Sequence, residues 1–168
     1  RREGEGRIAD LSFQIIDTAG LEEAAPETLG GRMRAQTESA LAEADVALFV
    51  IDARAGLTPL DRDFARWLRR GGKPVILVAN KAEGRQAIAQ ADEAYALGLG
   101  EPVSLSAQHG EGLGELYERL QPHIIATEEM EAPAGLPEEK PLQLAIVGRP
   151  NVGKSTLVNR LIGEDRML

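Results

Sequence analysis

The chain has 168 residues, 43% of them hydrophobic and 27% charged, with a formal net charge of −8; that length suits one compact domain, or one domain with a fragment of another. The negative charge argues against a basic face for nucleic acid or anionic lipid, so neither direct nucleic-acid binding nor membrane attachment is expected, and no apolar run approaches the roughly 20 residues of a membrane span. The absence of cysteine removes disulfides, thiolate metal sites and thiol catalysis, and no apolar secretion segment follows the N-terminal arginines, so the expected address is cytoplasmic.

Taken in chain order, residues 2–8 suit a polar strand that turns through Ala9 and Asp10 into LSFQII (residues 11–16). Residues 33–43 place Met33, Thr37, Ala40 and Leu41 near one helical face. VALFVI (46–51) follows as a strand, and residues 57–70 then set Leu60, Phe64, Trp67 and Leu68 at helical spacing. Thr58-Pro59 reads as an N-cap with proline at the first helical position, and Gly71-Gly72 as the stop. VILVA (75–79) and PVSL (102–105) are further strands, and residues 113–124 carry Leu116, Leu120 and Ile124 on one face. Residues 126–141 hold five glutamates and three prolines with scattered apolar residues, an acidic linker composition. LQLAIV (142–147) is the last strand, followed by a helix over STLVNRL (155–161). Three of the strand runs are apolar almost throughout, which suits strands covered on both faces. The predicted class is α/β, a mostly parallel six-stranded sheet with helices on each side.

GRPNVGKS (148–155) fits G-x-x-x-x-G-K-[ST] and lies between a strand and a helix, the context that gives the pattern its meaning. Its glycines let the backbone curl so that N–H groups point at phosphate oxygens. The residues taken to contact nucleotide here are Gly148, Arg149, Pro150, Asn151, Val152, Gly153, Lys154, Ser155 and Thr156. Lys154 would reach the outer phosphates, and the Ser155 hydroxyl would hold Mg²⁺.

DTAG, with Asp17, Thr18, Ala19, Gly20 and then Leu21, sits where a buried strand ends, the position at which parallel sheets bind ligands. Asp17 there can hold Mg²⁺ through water, and the Gly20 N–H can approach a terminal phosphate; a plain turn is the alternative. NKAE (Asn80, Lys81, Ala82, Glu83) ends another strand, where the Asn80 amide and the Glu83 carboxylate can together read guanine's edge; an asparagine helix cap is the alternative. Ser106, Ala107 and Gln108 end a fourth strand, where Ser106 or a backbone N–H can face the same base. His109 and His123 have no partners at ligand spacing, and residues 61–63 and 128–139 read as solvated charge rather than catalytic groups.

Together these loops resemble those of the translation-factor-related P-loop GTPases and, within them, the Era-like group. The wording around DTAG narrows this to the bacterial members with two G domains in tandem and a C-terminal KH-like domain, the EngA subfamily, and the likeness runs over nearly the whole chain. The resemblance implies a Ras-like P-loop fold, hydrolysis of GTP to GDP and phosphate, Mg²⁺ at Ser155 and Asp17, K⁺ beside Asn151, and a role in large ribosomal subunit assembly. It assigns catalysis to Lys154, Gly20 and Asn151. Glu83 replaces the usual aspartate, keeping the carboxylate but adding a methylene, so guanine preference is expected, and Leu21 stands where many GTPases carry glutamine.

The resemblance also makes residues 1–125 a first G domain without its opening strand and phosphate loop, 126–141 a linker, and 142–168 those same elements of a second. The motif order is then permuted, with the phosphate-loop strand last. Switch I falls outside both windows, so very slow hydrolysis is expected, or a catalytically silent interaction module. Residues 142–147 are expected to fill the central gap of the sheet, in cis or from a neighbouring chain as a strand-swapped homo-oligomer, because an empty slot would expose two unpaired edges.

Overall fold

The computed structural model describes residues 2–18, 29–130 and 141–163. β1 (Arg2–Ile8) and β2 (Leu11–Asp17) form an antiparallel hairpin, with Ala9 at a positive φ of 51° in the turn. β3 (Val46–Asp52), β4 (Val75–Asn80), β5 (Val103–Ser104) and β6 (Leu142–Val147) complete a six-stranded sheet ordered β1-β2-β6-β3-β4-β5, parallel apart from β1. β3 is buried at every position, as its unbroken apolar run requires when helices cover both faces.

The last strand in sequence lies at the centre of the sheet. β6 pairs with β2 from Phe13↔Leu142 to Asp17↔Ile146 and with β3 from Val46↔Leu144 to Phe49↔Val147, all within one chain. Its register is pinned where it enters: Gln143 N–H donates to Asp45 Oδ2 at 2.8 Å, and Asp45 N–H donates to Gln143 O at 2.8 Å. Alternate β6 residues then serve two cores. Leu142, Leu144 and Ile146 join Phe13, Leu48 and Val50 on one face, while Ala145 and Val147 join Ile16, Phe49 and Ile51 on the other.

Among the described residues five α-helices cover the sheet. α1 (Leu29–Glu43), α2 (Pro59–Arg70) and α3 (Gly84–Asp92) supply Ala40, Phe64, Leu68 and Ala91 to the second core; α4 (Leu113–Met130) and α5 (Lys154–Ile162) supply Leu116, Leu120, Leu157 and Leu161 to the first. α2 starts as its sequence requires, since Thr58 and Asp61 form a reciprocal capping box with Pro59 behind it.

Two boundaries depart from the sequence reading by more than two residues, and one helix is additional to it. α1 begins at Leu29 rather than at residue 33. α4 continues through residue 130, so the first five residues of the expected linker are helical; residues 131–140 lie outside the described residues. α3, followed by a 3₁₀ turn over Glu93–Leu97, was not foreseen, because its buried positions are the small alanines 87 and 91, which leave a weak hydrophobic period.

Candidate nucleotide-binding site

The loop of residues 148–153 joins central β6 to α5, so the N-terminal N–H groups of α5 face the end of the sheet where the other strand-end loops gather. Two of its glycines are forced. Gly148 has φ 153°, and a Cβ there would lie 2.4 Å from Val50 O; Gly153 has φ 94°, and a Cβ there would lie 2.2 Å from Asn80 Nδ2. Lys154 is buried, with its Nζ donating to Gly148 O at 2.6 Å and to Arg149 O at 3.0 Å, so the loop curls around its own ammonium. The Arg149 guanidinium leaves the loop sideways, its Nε 3.3 Å from the fully buried Asp61 carboxylate at the start of α2. Residue type and position suggest a solvated Asp61; the structure corrects this, burying it against the capping box and Arg149, whereas Asp63 is exposed.

Asn80 ends β4 and is 2% exposed. Its Nδ2 donates to Val152 O at 2.9 Å, and its Oδ1 accepts from the Ala107 N–H at 3.0 Å. It therefore ties the phosphate loop to the loop after β5. Lys81 follows in the left-handed region at φ 62°, with Nζ donating to Asp52 Oδ2 at 2.9 Å and to Asn151 O at 2.8 Å. Asn151, itself at φ 66°, is exposed. From α5, Arg160 donates through Nε to Ala107 O at 3.0 Å and through Nη2 to Gln108 O at 2.6 Å.

The Glu83 carboxylate is gripped at both oxygens. Ser106 Oγ donates to Oε1 at 2.5 Å, and Arg54 Nη2 donates to Oε2 at 2.5 Å. The Ser106 bond, aided by Arg54 and opposed by burial, holds this carboxyl below its ordinary range. Asp52, at the end of β3, is also lowered: burial resists ionisation, but the Lys81 ammonium and the N–H groups of Ala55 and Arg54 outweigh it. Sequence reasoning missed Asp52, Arg54, Asp61 and Arg160. Of these Asp52 carried a signal, a carboxylate at the end of a fully apolar strand, the same placement as Asp17, and Asp61 carried another, the Thr58-x-x-Asp61 spacing of a capping box.

Asp17 is 2% exposed at the end of β2, opposite Ile146, and the neighbouring Thr18 Oγ1 donates to Ile146 O at 2.9 Å. Ser155 and Thr156 lie exposed in the first turn of α5. A carboxylate with a hydroxyl is a hard-oxygen set that suits Mg²⁺, which keeps waters and takes phosphate oxygens as its remaining ligands. No group of three or more His, Cys, Asp or Glu placed to hold a metal ion occurs among the described residues. Ala19, Gly20 and Leu21 lie outside the described residues.

A mostly parallel sheet with a G-x-x-x-x-G-K-S loop at the end of its central strand, and three further loops hydrogen-bonded around it, defines a P-loop domain of the GTPase class. The family model described as "50S ribosome-binding GTPase" matches residues 1–81 and 143–168. The chain belongs to that family. It is similar over its full length to the proteins called GTPase Der in Azorhizobium caulinodans (58% identical, covering 38% of that protein) and Rhodopseudomonas palustris (57%, covering 38%). It is likewise similar to GTPase Der of Parvibaculum lavamentivorans, at 56% identity and 40% of that protein. The chain thus spans about two fifths of the length of these curated relatives. Among the described residues no helix is long and apolar enough to cross a membrane.

Proposed function

We propose that the chain binds GTP and GDP at the end of the sheet where β6, β2, β4 and β5 converge, and that the full-length protein hydrolyses GTP. One observation carries this reading: the phosphate loop and the helix it opens arrive last in sequence yet are hydrogen-bonded to the two loops that would read the base, the loop through Asn80 to Val152 and Lys81 to Asn151, and α5 through Arg160 to Ala107 and Gln108. Three loops from distant parts of the chain make one cradle.

Each group has a chemical task. The N–H groups of the loop and of the α5 N-terminus meet phosphate charge, and Lys154 exchanges its bonds to Gly148 O and Arg149 O for phosphate oxygens. Ser155 and Asp17 would hold Mg²⁺, which neutralises phosphate charge when bound. Gly20 and Asn151, the latter with K⁺, are assigned to the terminal phosphate by family likeness. Glu83, Asn80, Ser106 and Ala107 receive guanine, the carboxylate accepting from its ring N–H and exocyclic amine, donors that adenine does not offer in that arrangement. Phosphoryl transfer needs positioning and charge stabilisation more than covalent help, which this constellation supplies. The large ribosomal subunit is the proposed partner of the full-length protein, on the strength of the family description.

Titration calorimetry with GDP and ADP, on the chain and on Lys154→Ala, tests this. GDP should bind with Mg²⁺ present and ADP should not, and Lys154→Ala should lose binding. Failure to bind either nucleotide at high micromolar concentration would leave an interaction module in place of a nucleotide site.

A further inference from the structure

We propose that Arg54 is a specificity-determining residue of the guanine site, orienting the Glu83 carboxylate so that both of its oxygens face the base. This rests on the nucleotide reading above and goes beyond it, because the loop after β3 belongs to none of the four motifs.

Arg54 is a placed residue despite its exposed side chain. Its N–H and that of Ala55 donate to Asp52 Oδ1 at 2.9 and 3.0 Å. From α3, the Gln90 amide, in the orientation that satisfies its nitrogen, donates to Arg54 O at 3.1 Å and to Ala53 O at 2.6 Å. With its backbone held at both N–H and carbonyl, the guanidinium reaches Glu83 Oε2 while Ser106 takes Oε1.

The chemistry gives this grip its purpose. Guanine presents two parallel donors, so its acceptor must offer two oxygens in one plane. Glutamate has one more rotatable bond than aspartate, and a carboxylate free to turn must be ordered on binding. Each oxygen has two lone pairs, so Ser106 and Arg54 fix the plane from either side and leave one acceptor position per oxygen for the base. The Arg54 side chain is 67% exposed, and such a pair adds little to folding stability. Its removal should therefore be felt in base selection and not in the fold.

The test compares GDP with inosine diphosphate, whose base keeps the ring N–H but lacks the exocyclic amine. Calorimetry on the whole chain, with Arg54→Ala and Arg54→Lys, reads the ratio of the two affinities. Leaving one side chain to be ordered on binding costs up to a factor of about ten. Arg54→Ala should weaken GDP by about that factor and inosine diphosphate by much less, so the preference collapses, while Arg54→Lys restores part of it; Arg54→Gln repeats the measurement should the alanine variant melt early. Equal weakening of both nucleotides would make Arg54 a general support, and unchanged or tighter GDP binding would make it a plug over Glu83; either overturns the proposal while the guanine reading stands. A wild-type chain that binds neither nucleotide would overturn both.

Discussion

Asp61 and Asp63 lie two positions apart on α2 and show how little residue type alone decides. Asp63 is exposed and paired with Arg66 one turn on, an arrangement worth at most a few tenths of a kcal/mol. Asp61 is fully buried, accepts from the Thr58 N–H at 2.9 Å and the Thr58 hydroxyl at 3.0 Å, and faces Arg149 of the phosphate loop. Removing one member of a buried pair strands the other charge, so Asp61→Ala should cost about 3 kcal/mol in urea unfolding, and Asp63→Ala less than about 0.5. Equal costs would mean that Asp61 is solvated after all. Asp52 makes a pH-dependent case. Its carboxyl lies below the ordinary 3.8 in the folded chain, so its bonds to Lys81, Arg54 and Ala55 add stability that is complete above about pH 4 and fades as pH falls through the lowered folded value. Wild type should therefore be more stable than Asp52→Asn at pH 7, with the gap narrowing in acid; a gap that stays constant down to pH 2 would contradict the assigned bonds.

At the scale of elements, the loop between β6 and α5 works only with the backbone it has. Gly153→Ala places a methyl 2.2 Å from Asn80 Nδ2 in a residue with φ 94°. It should break the Asn80–Val152 tie and abolish nucleotide binding along with lowering stability. Gly72→Ala is the control: φ is 70° but nothing lies within 4 Å of the added methyl, so only the left-handed strain of about 1–2 kcal/mol applies and binding should survive. Comparable loss of GDP affinity in both variants would show that strain, not the Asn80 contact, is what matters. These elements differ in how far they could be read from sequence. Strands with unbroken apolar runs, such as VALFVI and LQLAIV, announce themselves because helices cover both of their faces. α3 does not, since alanine burial gives little periodic contrast, and residues 126–130 look like linker until α4 is seen to continue through them. The motif loops were legible, but the ties between them were not. Asn80 to Val152 spans 72 positions and Arg149 to Asp61 spans 88, and no local pattern encodes a contact of that range.

The whole molecule depends on a closure between its two ends. β6 contributes apolar residues to both cores and sits between β2 and β3, so without it those strands would present two facing unpaired edges. The connection through residues 131–140 makes this pairing intramolecular and sets a high effective concentration for β6. Closure entropy grows only slowly with loop length, about 0.6 kcal/mol per doubling of the loop. Inserting about ten Gly/Ser residues within 131–140 should therefore lower stability by roughly that amount and leave GDP affinity unchanged. Cutting the connection with a protease site placed in the same stretch should have a different signature. The two pieces should stay associated at high protein concentration because β6 is gripped on both edges, yet GDP affinity should now fall on dilution. In sedimentation the uncut chain should have the mass of one chain at every concentration. An uncut chain whose GDP affinity falls on dilution, or which sediments as a dimer, would place β6 in a neighbour's sheet and replace cis closure by strand exchange.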